Sequence, residues 1–187
     1  TFAQSGSGKS YTTKVEILRQ LMQGTKVIVI DPEREYKRLT ESVGGTYVKL
    51  SATSKEKINP FDLATTFHKL SDLSEHAQDL TEVISLMAEG LSAREKAAVD
   101  KAILKVYKKA KETQPLLEDL YAELNHLGQM KLCERLEKYI SGSLANVFNA
   151  QTNIKLDNRL VIFDIKDLPE SLRQIMMLII SNFVQNQ

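Results

Sequence analysis

The chain has 187 residues, and its 25 Lys and Arg against 24 Asp and Glu leave a formal net charge of +1; no whole-molecule field draws in nucleic acid or membrane, so any such contact must be local. Hydrophobic residues make up 42%, with only 8 Gly and 4 Pro, which describes a folded, helix-leaning protein and excludes a disordered or collagen-like one. Cys133 has no intrachain disulfide partner and His68, His76 and His126 are scattered singly, so a reducing compartment is favoured and a structural zinc site is not.

Residues 3 to 10 read AQSGSGKS, followed by Val15, Leu18, Leu21 and Met22 at helical spacing until Gly24, which predicts a loop leading into a helix. Lys26 to Asp31 is a β-branched run of the kind found in strands buried on both faces, and Asp31-Pro32 ends it. A short helix is predicted over Glu33 to Ser42, then a strand over Thr46 to Leu50 after Gly44-Gly45. Ile58-Asn59-Pro60-Phe61 reads as a loop with an aromatic anchor. From about 66 to 148 helical periods take over. Leu73, Ala77, Leu80, Ile84 and Met87 mark one helix; Ser92 with Glu95 forms a capping box for the next, which carries Val99, Ile103 and Val106. Leu117, Leu120 and Leu124 mark a third, and Leu132, Leu136 and Tyr139 a fourth. Strand chemistry returns at Leu160 to Asp164, and Asp167, Pro169 and Glu170 open a last helix with a Leu172, Ile175, Met176, Ile179, Phe183 stripe. Its apolar run, Ile175 to Ile180, is far short of the ~20 residues that a membrane-spanning helix needs. Strands alternating with helices imply an α/β fold with a parallel sheet covered on both faces, interrupted by an inserted helical subdomain.

A loop that cradles nucleotide phosphates needs small residues that turn backbone N–H groups inward, a helix N-terminus behind them, a Lys for the outer phosphates and a hydroxyl for Mg²⁺. Gly6, Gly8, Lys9 and Ser10 supply these in order, although Ala3 stands where the full GxxxxGK[ST] pattern has Gly. Two hydrophobic runs end in Asp, at Asp31 and Asp164, and each is a candidate for the acid that orients magnesium-bound water. The sequence does not choose between them. The chain opens on Thr1 rather than Met with this motif following almost at once, so it is expected to be a piece of a longer polypeptide.

SGSGKS with its helix, DPEREY (Asp31 to Tyr36), INPFDL (Ile58 to Leu63), LEKYISGSLANVFN (Leu136 to Asn149) and VIFDIKDLPESL (Val161 to Leu172) occur in one order. Together they resemble the ATPases that power type IV secretion and conjugation, the fourth VirB component and TraC-like proteins of the HerA/FtsK superfamily. The resemblance implies a RecA-like P-loop NTPase core over 1–65 and 151–187 with an all-helical insertion over 66–150. It implies ATP and Mg²⁺ as cofactors, a homo-hexamer, membrane-channel components as partners, and a cytoplasmic location, peripheral at the inner face of the cell membrane. Carried over residue by residue, Ser5, Gly6, Ser7, Gly8, Lys9 and Ser10 match the nucleotide loop, with Tyr11 beside it. Lys9 falls on the outer phosphates and Ser10 on Mg²⁺, and Asp31, Glu33 and Glu35 fall in the acidic strand-end motif. Glu35 is thereby the candidate catalytic acid and Asp31 the candidate metal-side acid. Asp164 becomes a strand-end residue, because the family's second acidic motif comes just after the helix that here reaches Gln187; the fragment alone is therefore expected to be inactive.

The expected function is that of an ATP-driven motor that energises substrate transfer or channel assembly. The alternatives are a DNA-translocating coupling-protein or FtsK-like ATPase and a nucleotide-binding scaffold without turnover. Seven basic residues, Arg94, Lys96, Lys101, Lys105, Lys108, Lys109 and Lys111, crowd one helix against Glu95 and Asp100. Arg94, Lys101, Lys105 and Lys108 fall on one side of it. That ridge reads either as a solvated face or as a docking surface for an acidic partner or, less favoured, DNA, since no aromatic residue interleaves the lysines to stack on bases. Cys133 is expected in the core and the histidines at the surface or at helix ends.

Overall fold

The computed structural model describes residues 9–62, 70–110 and 113–185. They fall into two compact units, one drawn from 1–51 and 154–168, the other from 52–153 and 169–187.

The first unit is the α/β unit. Its elements are α1 (Lys9–Met22), β1 (Val27–Asp31), α2 (Lys37–Ser42), β2 (Thr46–Lys49) and β3 (Leu160–Asp164). The three strands form a parallel sheet in the order β1-β3-β2, so the late strand slots between the two early ones. Successive side chains point to opposite faces of a strand. On one face Val27 and Val29 of β1 lie level with Leu160 and Ile162 of β3, and Tyr47 of β2 with Ile162. Ile17 and Leu21 of α1 and Leu39 of α2 complete that core. Val161 and Phe163, on the opposite face, are equally buried, and β3 accordingly reads as the continuous apolar run of a strand covered on both sides.

Residues 33 to 36, predicted as the start of a helix, are instead a loop, and α2 begins only at Lys37. Gly45 lets this segment reach the sheet, because a Cβ there would meet the Leu160 carbonyl oxygen at 2.9 Å and Thr40 Cγ2 at 3.0 Å.

The second unit holds α3 (Leu70–Met87), α4 (Ala93–Lys109), α5 (Leu117–His126), α6 (Met130–Ile140), α7 (Ala145–Phe148) and α8 (Glu170–Gln185). α3 packs on α4, α4 on α5, α5 on α6, and α3 also on α8. The predicted apolar faces are the buried ones: Leu80, Ile84 and Met87; Val99, Ile103 and Val106; Leu117, Leu120 and Leu124; Leu132 and Leu136. The Ser92–Glu95 capping box is present. On α8 the predicted stripe is buried and Met177 is exposed. Cys133 lies in the core as expected. His76 does not lie at the surface. It is 2% exposed and contacts the Tyr107 hydroxyl at 2.8 Å. His68 and Lys111 lie outside the described residues.

Two of the ordered motifs turn out to be structural joints. In INPFDL, Asn59 donates its side-chain amide to the Pro115 carbonyl (2.8 Å) and accepts the Phe61 N–H (3.0 Å), and its own N–H goes to Thr152 Oγ1 (2.6 Å). In LEKYISGSLANVFN, Tyr139 and Phe148 meet edge to face at 5.4 Å, an arrangement that the ring quadrupoles favour. A Cβ on Gly142 would strike Lys138 Cα at 2.7 Å, so the chain can turn there only because the residue is glycine.

Candidate functional site

The parallel register sets the last residues of the strands in one row, with Asp31 level with Asp164 and Lys49 level with Asp164. In open parallel sheets the carboxyl ends of the strands are where ligands bind.

Asp31 is 1% exposed and organises the loop that follows it. Its Oδ1 accepts the N–H groups of Glu33 (3.2 Å) and Glu35 (3.1 Å), and its Oδ2 accepts that of Tyr36 (3.0 Å). Three backbone donors that a helix would have directed elsewhere are thereby satisfied by a side chain. Arg34 sits at φ 63, a left-handed conformation that non-glycine residues rarely adopt. The result is that neighbouring side chains diverge. Glu35 reaches the first turn of α1, where the Ser10 hydroxyl donates to its carboxylate, whereas Arg34 reaches the end of β3.

At that end Asp164, with no exposed side chain, accepts from Arg34 Nε (2.6 Å), the Tyr47 hydroxyl (2.6 Å) and the Lys166 N–H (2.9 Å). Burial pushes its acidity towards the neutral form, but these three donors and the charge of Arg34 outweigh it and hold the carboxyl below the usual carboxylate range. Arg34 Nη2 lies 2.7 Å from Asp167 Oδ2, close enough for an ion pair although out of line for a hydrogen bond. Lys49 Nζ is 2.5 Å from the same oxygen. Lys49 first, and the Arg34 guanidinium second, lower Asp167 to about 2. Burial first, and the bond to Asp164 second, raise the Tyr47 phenol above its ordinary value.

Of the residues singled out by sequence, the structure brings Ser10 and Glu35 together, with Asp31 one step behind through the loop it folds. Lys9 opens α1 and Tyr11 is exposed on it. Ser5, Gly6, Ser7 and Gly8 lie outside the described residues. Sequence reading missed Arg34, Tyr47 and Lys49. Their partners are more than a hundred residues away in the chain, and the available hint was Lys49 as the last residue of a strand, level with the two aspartates.

A hydroxyl has one proton to donate and two lone pairs to offer. With its proton on Glu35, Ser10 keeps its lone pairs for a cation, a donor set that fits Mg²⁺, which takes few protein ligands and fills its octahedron with phosphate oxygens and water. Among the described residues no group of three His, Cys, Asp or Glu is placed to hold a metal by itself.

Comparison with known proteins addresses the family and the fold. The family described as "Helicase HerA, central domain" matches residues 1–184. Among solved structures, VirB4 of Thermoanaerobacter pseudethanolicus superposes with a TM-score of 0.85 at 29% identity, over 98% of this chain and 54% of that one. The chain thus spans about half the length of that protein. No curated protein sequence matches it. The resemblance carried by the ordered motifs and the expected α/β fold are both borne out. With the family pattern running from end to end and the fold shared with VirB4, the chain belongs to the HerA helicase central-domain family.

Proposed function

We propose that this chain is the ATP-binding part of a motor ATPase of the type IV secretion and conjugation kind, one that energises substrate transfer or channel assembly. The observation that carries the reading is the Ser10 hydroxyl bonded to Glu35 at the start of α1, directly after the Ser5 to Gly8 run. In this reading the backbone of Ser5, Gly6, Ser7 and Gly8 cradles the phosphates, Lys9 pairs with the outer ones and Tyr11 flanks the loop. Ser10 ligates Mg²⁺ through its free lone pairs. Bound Mg²⁺ neutralises and orients the phosphate oxygens. Glu35 accepts the Ser10 hydroxyl hydrogen bond and is the carboxylate that would order water beside that hydroxyl. Asp31, which accepts three backbone donors, acts by shaping the loop that carries Glu35.

The similarity to VirB4 supports a motor working with other copies of itself in a hexamer and with channel components, as a cytoplasmic protein at the inner face of the membrane. Among the described residues no helix is long and apolar enough to cross a membrane. The nucleotide core is proposed to run over 1–65 and 151–187, with 66–150 as the helical insertion. The family description, a helicase, supports a second reading in which the moved substrate is DNA.

Titration calorimetry with Mg-ATP tests the site. Lys9→Ala removes a charge-assisted contact worth about 1.5–3 kcal/mol, so affinity should fall by roughly 10- to 150-fold. Equal affinity in the variant would sink the assignment.

A further inference from the structure

Resting on the ATP reading above, we propose that Arg34 is a positioning residue that fastens Glu35 beneath Ser10, and that its anchor is the pair Asp164 and Asp167 beyond the end of β3. The loop 32–36 is tied down from several directions, among them by Lys166 Nζ, which donates to the Glu33 carbonyl oxygen at 3.2 Å. Along its backbone, Asp31 takes the N–H groups of Glu33, Glu35 and Tyr36. Among the described side chains of the loop, Arg34 makes the tie on the far side from Ser10, with Nε on Asp164 at 2.6 Å and Nη2 beside Asp167 at 2.7 Å. The receiving end is itself braced, because Tyr47 donates to Asp164 and Lys49 pairs with Asp167.

Arg34 holds φ 63, and a non-glycine residue stays in that region only where its surroundings over-determine it. The residue next along the chain is Glu35, so releasing Arg34 lets the peptide between them relax and swings the Glu35 carboxylate away from the Ser10 hydroxyl. A planar guanidinium reaches two carboxylates at once from fixed directions, which a lysine ammonium on a flexible stem does not reproduce. Arg34 therefore acts on nucleotide through Glu35 and Ser10 and should govern the part of nucleotide affinity that depends on the metal.

The test uses the whole chain with Arg34→Ala and Arg34→Lys. ATP affinity is measured by calorimetry with Mg²⁺ and with EDTA, and amide hydrogen exchange is followed by NMR without nucleotide. In Arg34→Ala the EDTA affinity should stay within about threefold of the wild type, while the gain that Mg²⁺ brings should shrink by about tenfold, the equivalent of one charge-assisted contact. The Glu35 and Tyr36 amides should exchange about tenfold faster with β3 and α6 amides unchanged, and Arg34→Lys should recover part of both effects. Unchanged Mg²⁺ dependence with unchanged exchange overturns the proposal. So does faster exchange spread through β3, which would make Arg34 a general stabiliser. A wild type that binds no nucleotide in either buffer overturns the ATP reading instead, and the exchange arm still decides whether Arg34 holds the loop.

Discussion

Tyr107 has one hydroxyl proton and gives it to the Phe61 carbonyl at 2.6 Å, so the 2.8 Å contact with His76 Nε2 must take its proton from the imidazole. Nε2 thus carries a proton, and burial lowers the pKa of His76 from 6.5 to about 4, so the ring is neutral above that value. Between those values the unfolded chain binds a proton that the folded chain refuses, so stability rises with pH across the window and is lost as pH falls through it. A separation of this size corresponds to about 3 kcal/mol. Urea denaturation at pH 7.5 and 4.5 should show the loss in the wild type. His76→Gln, which keeps a side-chain N–H donor but does not titrate, should lose less over the same interval by about that amount. Parallel losses in the two proteins would show that His76 is protonated in the folded state. The signal that separates this histidine from His126, which ends α5, is its place one residue before Ala77 on the buried face of α3.

The basic helix α4 is not one uniform ridge. Lys105 and Lys109 both reach Glu123 of α5, Lys109 at 2.8 Å, and Glu123 is 2% exposed with its acidity held below the ordinary range by Lys105 first and Lys109 second. Lys101 and Lys108 stand exposed. Lys105→Glu should therefore destabilise the helical unit by about 2 kcal/mol, the cost of an opposed buried carboxylate discounted because the lysine is half in solvent. Lys101→Glu with Lys108→Glu should stay within about 0.5 kcal/mol of the wild type. Urea midpoints measure both, and only the second pair gives a fair test of docking to an acidic partner, since a lysine that braces Glu123 confounds folding with binding. Helices α3 to α6 and α8 are legible in the sequence because each repeats its apolar residues at helical spacing over ten or more positions and, in α4, carries its own cap. The loop 32–36 is not. Residues 33 to 36 have ordinary helix propensity, and what overrides it is the Asp31 carboxylate capturing three amides together with Arg34 at φ 63. The four residues of α7 are too few to leave a period. At the candidate site, Ser10, Glu35 and Asp31 were readable as motif members, but Tyr47, Lys49 and Asp167 join through tertiary pairing that local spacing does not encode.

The described residues of the proposed nucleotide site, Lys9, Ser10 and Tyr11 with Asp31 and Glu35, belong to the sheet unit, whereas α3 to α8 build a unit with its own buried core. A ligand that binds only the folded state stabilises what it binds by RT ln(1 + [L]/Kd), about 2.7 kcal/mol at a hundred times Kd. Where two units open separately, that energy reaches only the one holding the ligand. Hydrogen exchange with and without Mg-ATP at that concentration should slow the β1 and β3 amides by up to about 100-fold and leave those of α5 and α6 unchanged. Equal slowing in α5 and α6 would mean that the two units open as one cooperative body. Unchanged exchange in β1 and β3 with nucleotide bound to saturation would put the nucleotide away from the strand ends, because a ligand seated on Ser10 cannot remain bound while the sheet that carries α1 opens.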